Sequence, residues 1–369
     1  YKGFSKIQYD VLNFVRLLVY GRILNPDSKF ATLEQNDDYY IPLLKNFNPY
    51  NVYDTLDFIY EHKEKIIRRM NTSLVKKWNR NPEIIFYDVT NFFFETEDPD
   101  EDVIDNDGNV IEKGFRKMGV SKENRKQPIV QMGLFMDDKG LPISIESFPG
   151  NTLDASTLKP ALSKSIDRLE YARFIMIADR GMCNHQNILY LLDHNNGYII
   201  GKSLLKSTAA EQEWAYSDTD FIKEGKDFKY KSKIIKRTAK DANGRKRTIT
   251  EKIIVYWTRK FYERDLHENA RFLETIEKVL KNPNGFRITA MQARQMHQFF
   301  KGDILNSETG EVIEASKLVA LLDKTKLEEF KSHFGFYQIV TSEVNMSTLE
   351  AIEKYHGLSR IEDQFRVMK

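Results

Sequence analysis

The stretch "IIFYDVTNFFFE", residues 84–95, decides how the rest of this chain is interpreted. Its apolar run Ile84–Tyr87 is typical of a buried β-strand, and Asp88 follows at once. A second apolar run, residues 174–178, is followed in the same way by Asp179 and then by a turn. Both carboxylates are therefore predicted at strand ends, where side chains leave the core of an α/β sheet and meet ligands.

A third acidic residue, Glu362, lies in "YHGLSRIEDQFRVMK", residues 355–369. If the fold brings Asp88, Asp179 and Glu362 together, their oxygens form a cage for divalent metal. The simpler interpretation of either aspartate is a cap on the turn or helix that follows. Two such sites in one chain make that interpretation less attractive.

Composition excludes several classes of protein. The chain has 369 residues, 41% of them hydrophobic, so it can bury a substantial core over two or three domains. Its one cysteine excludes an internal disulfide, and its seven histidines show no zinc-site spacing. No apolar run reaches the length of a membrane span, and no signal peptide is visible, so we expect a cytoplasmic protein with no membrane partner.

Residues 1–80 are predicted to form a helical N-terminal DNA-binding domain. Apolar residues recur at helical spacing in residues 9–24 and 51–78, and lysines and arginines gather towards the end of the second segment. An ordinary amphipathic bundle with a solvated basic face explains the same pattern equally well.

From residue 81 to 201 the period changes to that of strands. Two apolar segments flank Asp138-Lys139-Gly140, a hairpin signal, and helices are predicted at 154–170 and 184–194 between further strands. The element order βββαβαβ predicts an α/β fold with a mixed sheet and helices on its faces. This order is the ribonuclease H-like arrangement, and 81–201 is its first part.

Residues 202–332 are predicted to be a β-rich basic insertion in this core. Residues 229–260 carry an Asn243-Gly244 turn between two segments of β-forming residues. The cations that we expect at DNA phosphates are Lys236, Arg237, Arg245, Lys246 and Arg247. A solvated hairpin that its lysines protect from edge pairing is the alternative.

Residues 333–369 are predicted to return to the core, with one strand at 334–342 and the helix that bears Glu362. On one continuous helix, Tyr355, Glu362 and Lys369 share a face. The sequence also allows Gly357 to end a first helix before Ser359 starts a second, and Glu362 would then complete a capping box.

The chain resembles a DDE transposase of the insertion-sequence-four superfamily, the branch with a Tyr-Arg-Glu-Lys signature and a β-rich insertion. The resemblance rests on "DVTNFFFE", "GLPISIESFPGNTLDASTLKP", "IADRGM" and "YHGLSRIEDQFRVMK". It implies that Asp88, Asp179 and Glu362 are the metal-binding catalytic triad and that Tyr355 and Lys369 are signature residues. The signature Arg would fall on Leu358, so Arg360 and Arg366 are the candidates for its phosphate contact.

The resemblance also implies that a tryptophan of the insertion, best matched by Trp257, stacks on a base near the cleaved DNA end. A core tryptophan is the other possibility. The cofactor implied is a pair of Mg²⁺ ions, for which Mn²⁺ is expected to substitute. The implied partners are double-stranded DNA, as terminal inverted repeats and target, and a second copy of the chain in the DNA-bound complex. The implied location is the nucleoid of a prokaryotic cell.

Two alternatives stay open beside a transposase that cleaves transposon ends and joins them to target DNA. One is a structure-selective, metal-dependent nuclease of the same fold, and the other is a domesticated DNA-binding protein without catalysis. The chain begins with Tyr1 and stops at Lys369 inside a predicted helix, so we expect a fragment.

Overall fold

The computed structural model describes residues 7–80, 82–120, 122, 126–166, 171–241, 243–281, 299 and 323–368. The chain divides into two compact units, Tyr1–Asn81 and Pro82–Lys369. None of the helices within the described residues is long and apolar enough to cross a membrane.

The first unit is helical. Its helices are α1 (Val11–Leu24), α2 (Lys29–Glu34), α3 (Asn51–Glu61) and α4 (Lys63–Trp78). Asp10 and Ser28 cap the first two helices, because each side chain accepts a hydrogen bond from a backbone N–H of the first turn. A small core that includes Phe14, Leu17 and Val52 holds the unit together.

The second unit is built on a large mixed sheet. Its strands are β1 (Ile84–Phe93), β4 (Ile129–Asp137), β5 (Pro142–Pro149), β6 (Ile175–Ala178), β7 (Gly197–Lys202), β8 (Ile222–Glu224), β9 (Phe228–Lys240), β10 (Lys246–Thr258) and β11 (Phe336–Thr341), and a separate small ribbon pairs β2 (Val103–Ile104) with β3 (Val110–Glu112). Among the described residues the sheet has nine strands in the order β5-β4-β1-β6-β7-β11-β10-β9-β8.

The first five strands of that order have the ribonuclease H-like topology. β1, β4 and β5 are consecutive antiparallel neighbours, and β6 and β7 continue the sheet parallel to β1. The turn between β4 and β5 contains Gly140 at φ +82°, as the hairpin signal predicted. The predicted α/β class with a ribonuclease H-like mixed sheet is therefore confirmed.

The β-rich segment is continuous with this sheet. β11 pairs with β7 on one side and with β10 on the other, and β9 and β8 follow as the next strands outward. The strand predicted at 334–342 therefore both returns to the core sheet and joins the β-rich segment to it.

Helices cover both faces of the sheet. They are α5 (Asp154–Ala161), α6 (His185–Asp193), α7 (Ala209–Tyr216), α8 (Arg259–Lys281), α9 (Lys324–Ser332), α10 (Thr348–His356) and α11 (Ser359–Met368). The helix predicted at 154–170 is helical as far as Ile166: α5 ends at Ala161, a π-helical turn continues over Leu162–Ile166, and 167–170 lie outside the described residues.

The side chains of β1 alternate between two cores. Ile85, Tyr87 and Val89 belong to the core that residues of α5 and α6 also enter. Ile84 and Phe86 belong to the core on the opposite face, with residues of α10 and α11. Because side chains alternate along a strand, Asp88 lies on the same face of β1 as Phe86, the face of α10 and α11.

Candidate active site

Asp88 and Asp179 lie side by side on neighbouring parallel strands. The paired register of β1 and β6 ends with Tyr87 opposite Ala178, so each aspartate is the next residue of its strand. Asp179 follows the end of β6, as predicted. The prediction for Asp88 was wrong in one respect: β1 continues to Phe93, because Val89–Phe93 pair with β4 beyond the end of β6.

The Asp88 carboxylate sits in an environment that opposes its charge. Its pKa is raised from 3.8 to about 6, chiefly by burial and to a smaller extent by the nearby carboxylates of Asp179 and Asp154. The Lys122 ammonium and a 2.7 Å hydrogen bond from the Val89 N–H lower it. Two carboxylates and one ammonium thus act on the charge of Asp88.

Asp179 also caps the turn that follows it. Its carboxylate accepts a hydrogen bond of 2.8 Å from the Gly181 N–H, at the start of the short 3₁₀ turn Arg180–Met182. The simpler interpretation from the sequence is thus correct for this residue. It does not conflict with a second function, because a carboxylate accepts several hydrogen bonds or metal contacts at once.

Two further charged residues near Asp88, Lys122 and Asp154, were not predicted from the sequence. The Lys122 Nζ lies 3.7 Å from Asp154 Oδ2 and donates a hydrogen bond to the carbonyl of Val89, the residue after Asp88. Asp154 starts α5 in the motif "GNTLDAST". Neither residue ends an apolar run, so no periodic pattern marks it.

Glu362 lies on a helix that packs against β1. α11 contacts the strand through its apolar face, where Ile361 and Phe365 are buried, and Glu362 beside them is exposed. Within the described part of the chain, no three Asp, Glu, His or Cys side chains are close enough together to hold a metal ion. The assignment of Glu362 to the triad therefore stays a prediction.

Of the two interpretations of residues 355–369, the break at Gly357 is correct and the continuous helix is wrong. α10 ends at His356 and α11 begins at Ser359. A Cβ on Gly357 would lie 2.7 Å from the ring of Phe86, so a glycine is needed where the chain passes over β1. Within the described residues the Ser359 hydroxyl donates to the His356 carbonyl, 3.0 Å away, and accepts no hydrogen bond from the Glu362 N–H, so the predicted capping box is not formed.

Tyr355 is half-buried beside the two aspartates. Burial raises its pKa, and the charges of Asp179 and Asp88 raise it further. A side chain at position 201 would collide with its hydroxyl, so Gly201 of β7 makes room for the ring. Arg180 contacts the same place and lowers the pKa of Tyr355.

The predicted phosphate-binding arginines point to other partners. Leu358, at the position of the signature Arg, packs against the core beneath α10 and α11. Arg360 donates to the Asp138 carbonyl at 2.6 Å, and Arg366 pairs with Asp363 at 3.3 Å on the surface of α11. Lys369 lies outside the described residues.

The five predicted DNA-binding cations of the β9–β10 hairpin fall into two sets. Arg237 pairs with Glu251 at 2.7 Å and Glu211 at 2.9 Å, and Arg247 pairs with Asp193 at 2.7 Å. Lys236, Arg245 and Lys246 are exposed and form no ion pair within the described residues. Only this second set is available for an external anion without breaking an existing pair.

Trp257 lies at the end of β10 and is half-buried. Its indole N–H donates to the Phe334 carbonyl at 3.0 Å, and Gly335, at φ +82°, allows the chain to pass against the ring. These contacts give Trp257 a structural role at the junction of β10 and β11. Its stacking on a DNA base stays a prediction.

Comparisons with known proteins identify a family. Residues 98–369 match the family model described as the transposase DDE domain, a range that contains Asp179 and Glu362 and begins after Asp88. A comparison with curated proteins finds no match.

Solved structures with detectable similarity are also transposases. The piggyBac transposase in a synaptic complex with hairpin DNA shares 8% identity at a TM-score of 0.33, over 64% of this chain and 50% of that one. The Mos1 transposase paired-end complex with the left transposon end shares 16% identity at a TM-score of 0.20, over 58% of this chain and 64% of that one. This chain thus spans half of the first and under two thirds of the second.

Proposed function

The chain belongs to the transposase DDE domain family, and on that premise we propose that it cleaves transposon ends and joins them to target DNA. The observation that carries this proposal is the pair Asp88 and Asp179, set side by side at the end of the β1–β6 pairing, with burial opposing the charge of Asp88. A bound divalent cation would stabilise the charged form of both carboxylates.

The donor set fits magnesium. Mg²⁺ prefers carboxylate and water oxygens, and Asp88 and Asp179 supply carboxylates on a rigid sheet. Glu362 on α11, which packs against β1, would supply the third. When bound, a pair of such ions stabilises both the attacking and the leaving oxygen of an in-line displacement at phosphorus, and Mn²⁺ would substitute.

The chain's own residues would orient the DNA around these carboxylates. Tyr355, fixed against Gly201, would contact the DNA strand beside Asp179. Membership of the insertion-sequence-four superfamily would add Lys369 to that contact. Leu358 cannot contribute the phosphate contact of the signature Arg, because it is apolar and packs on the core.

DNA would be bound along exposed basic surfaces. Lys236, Arg245 and Lys246 would contact phosphates along the β9–β10 hairpin, since no partner within the described residues neutralises them. The helical N-terminal unit would recognise the terminal inverted repeats. Two copies of the chain would assemble on a pair of ends, as a homodimer.

A strand-transfer assay tests this function directly. The protein is incubated with Mg²⁺, duplexes from either side of its coding region, and a supercoiled target plasmid, and the junctions are sequenced. A transposase joins ends to the plasmid at new positions. Cutting without joining would instead support a structure-selective nuclease, and binding without metal-dependent cutting would support a non-catalytic DNA-binding protein.

A further inference from the structure

The predicted site has no arginine at the signature position, yet a different cation lies beside its first aspartate. Leu358 replaces that arginine and packs on the core, while Arg360 and Arg366 bind the Asp138 carbonyl and Asp363. Lys122, in contrast, is the strongest single charge that acts on the Asp88 carboxylate.

The Lys122 ammonium is held from two sides. It donates to the carbonyl of Val89 on β1 and lies 3.7 Å from the Asp154 carboxylate. An ammonium has three N–H donors, so the Val89 carbonyl leaves others for a further acceptor. The Lys122 side chain is 43% exposed, and an incoming anion can therefore reach it.

The position of Asp154 is itself fixed to the strand that carries Asp88. The Thr157 hydroxyl donates to the Asp154 carbonyl at 2.7 Å, and the buried Tyr87 hydroxyl donates to that of Thr157 at 2.8 Å. Tyr87 directly precedes Asp88. The start of α5 and the candidate catalytic strand are thus joined by a short chain of hydrogen bonds.

We propose that Lys122 is the phosphate-binding cation of the cleavage site, held beside Asp88 by Asp154 and the Val89 carbonyl until DNA arrives. Its ammonium then contacts a non-bridging oxygen of the phosphodiester that is cut. This inference rests on the proposed function. Negative charge accumulates on that phosphate as the nucleophile attacks, and a cation already placed there stabilises it.

The same placement gives Lys122 a second, opposite effect. In the DNA-free protein the Lys122 ammonium lies near the carboxylates at which a divalent cation would bind, and the two positive charges would repel each other. Removal of the charge should therefore strengthen metal binding while it slows cleavage. A residue with a merely structural role would not produce this opposition.

The test compares Lys122→Met, Lys122→Arg and the control Lys164→Met, an exposed lysine after α5. Mn²⁺ binding to the DNA-free protein is followed by electron paramagnetic resonance, single-turnover cleavage at saturating DNA by gel, and the unfolding midpoint by calorimetry. We expect the cleavage rate of Lys122→Met to fall by at least about 10-fold. It should bind Mn²⁺ about threefold more tightly or better. Lys122→Arg should restore most of the rate, and Lys164→Met should match the wild type.

Wild-type cleavage by Lys122→Met would overturn the inference while leaving the proposed function intact. Slow cleavage by Lys122→Met with an unchanged Mn²⁺ affinity would also overturn it. A lowered unfolding midpoint in both Lys122→Met and Lys122→Arg would do the same, because either result shows that Lys122 has a structural role. Cleavage that survives Asp88→Asn would instead overturn the proposed function itself, and the role of Lys122 with it.

Discussion

At the scale of single residues, Asp88 is the most constrained group of the site. Burial and two neighbouring carboxylates favour its neutral form, whereas Lys122 and the Val89 N–H favour the charged form. Its pKa is about 6 and so lies above the ordinary aspartate value of 3.8. The metal-free protein therefore loses stability when Asp88 ionises.

This conflict predicts how stability depends on pH. Because the pKa of Asp88 is higher in the folded protein, the neutral side chain contributes its full share to the free energy of unfolding below about pH 4. This contribution is lost as the pH rises through about 6. Asp88→Asn removes the ionisation, so without metal it should exceed the wild type in stability by at most about 3 kcal/mol at pH 7.5, and by much less at pH 4.5. Chemical denaturation at both pH values measures the difference.

The exposed Asp98→Asn is the control for that experiment, and its offset from the wild type should be similar at both pH values. A stability advantage of Asp88→Asn that is the same at pH 4.5 and 7.5 would show that Asp88 does not ionise against its environment.

Glu362 gives a second prediction at this scale. Its side chain is exposed and contributes little to packing, so Glu362→Gln should leave the unfolding midpoint nearly unchanged. Because Glu362 is proposed as a metal ligand, the same substitution should nevertheless abolish Mg²⁺-dependent cleavage. Retained cleavage would remove Glu362 from the triad. Glu353→Gln, an exposed glutamate of α10, is the matched control for the removal of a surface charge.

At the scale of elements, the β9–β10 hairpin carries two kinds of cation: some form internal ion pairs or hydrogen bonds, and others are exposed without an ion pair among the described residues. Arg237 and Arg247 bind Glu251, Glu211 and Asp193, residues far away in sequence, and Lys231 is buried with its ammonium on the carbonyls of Ser217 and Thr219. Of the exposed cations, Lys236 precedes Arg237 on β9, and Arg245 and Lys246 lie at the turn of the hairpin.

This separation predicts two different phenotypes. Neutralising Lys236, Arg245 and Lys246 to Gln should flatten the slope of log affinity against log salt by about 0.9 for each phosphate that the protein no longer neutralises, while stability is unchanged. The matched control, Arg237→Gln with Arg247→Gln, should lower stability and leave the slope unchanged. An equal effect of both sets on the slope would contradict the assignment of the two arginines to internal pairs.

The break between α10 and α11 is the second feature at this scale. Gly357→Ala places a methyl group against Phe86 and should destabilise the protein by about 1–3 kcal/mol. Phe86→Leu removes the outer ring atoms, so the double variant should recover part of that stability. Urea unfolding of all four proteins measures the coupling, and additive destabilisation in the double variant would refute the contact.

These elements also indicate what the sequence could reveal. The strands of the ribonuclease H-like sheet were predictable because an apolar run marks each of them, although β1 continues past its run to Phe93. The sequence placed Asp88 beside Asp179 only on the condition that the fold brings them together. The break at Gly357 was one of two interpretations that the sequence allowed, and the close approach of Phe86 to Gly357, which only the fold produces, is consistent with it. The pairing of Arg237 was not predictable, since Glu211 reaches it only through the fold. Lys122 and Asp154 were missed for the same reason.

At the scale of the whole molecule, one sheet links the candidate site to the basic hairpin. β1 and β6 carry the aspartates, β7 provides the glycine against Tyr355, and β11 and β10 continue to the exposed lysines. A strand-by-strand connection of this kind keeps the exposed cations of the hairpin at a fixed distance from the carboxylates. The mixed sheet thus supports both the proposed metal site and the proposed DNA contacts of the hairpin.

The central claim is that Asp88 and Asp179 together hold the metal ions that cleave DNA, and Mg²⁺-dependent nicking of a labelled end duplex tests it most directly. Asp88→Asn and Asp179→Asn should each abolish nicking while duplex binding stays close to the wild-type level, and Asp98→Asn should nick normally. Normal nicking by either Asp88→Asn or Asp179→Asn would contradict the claim.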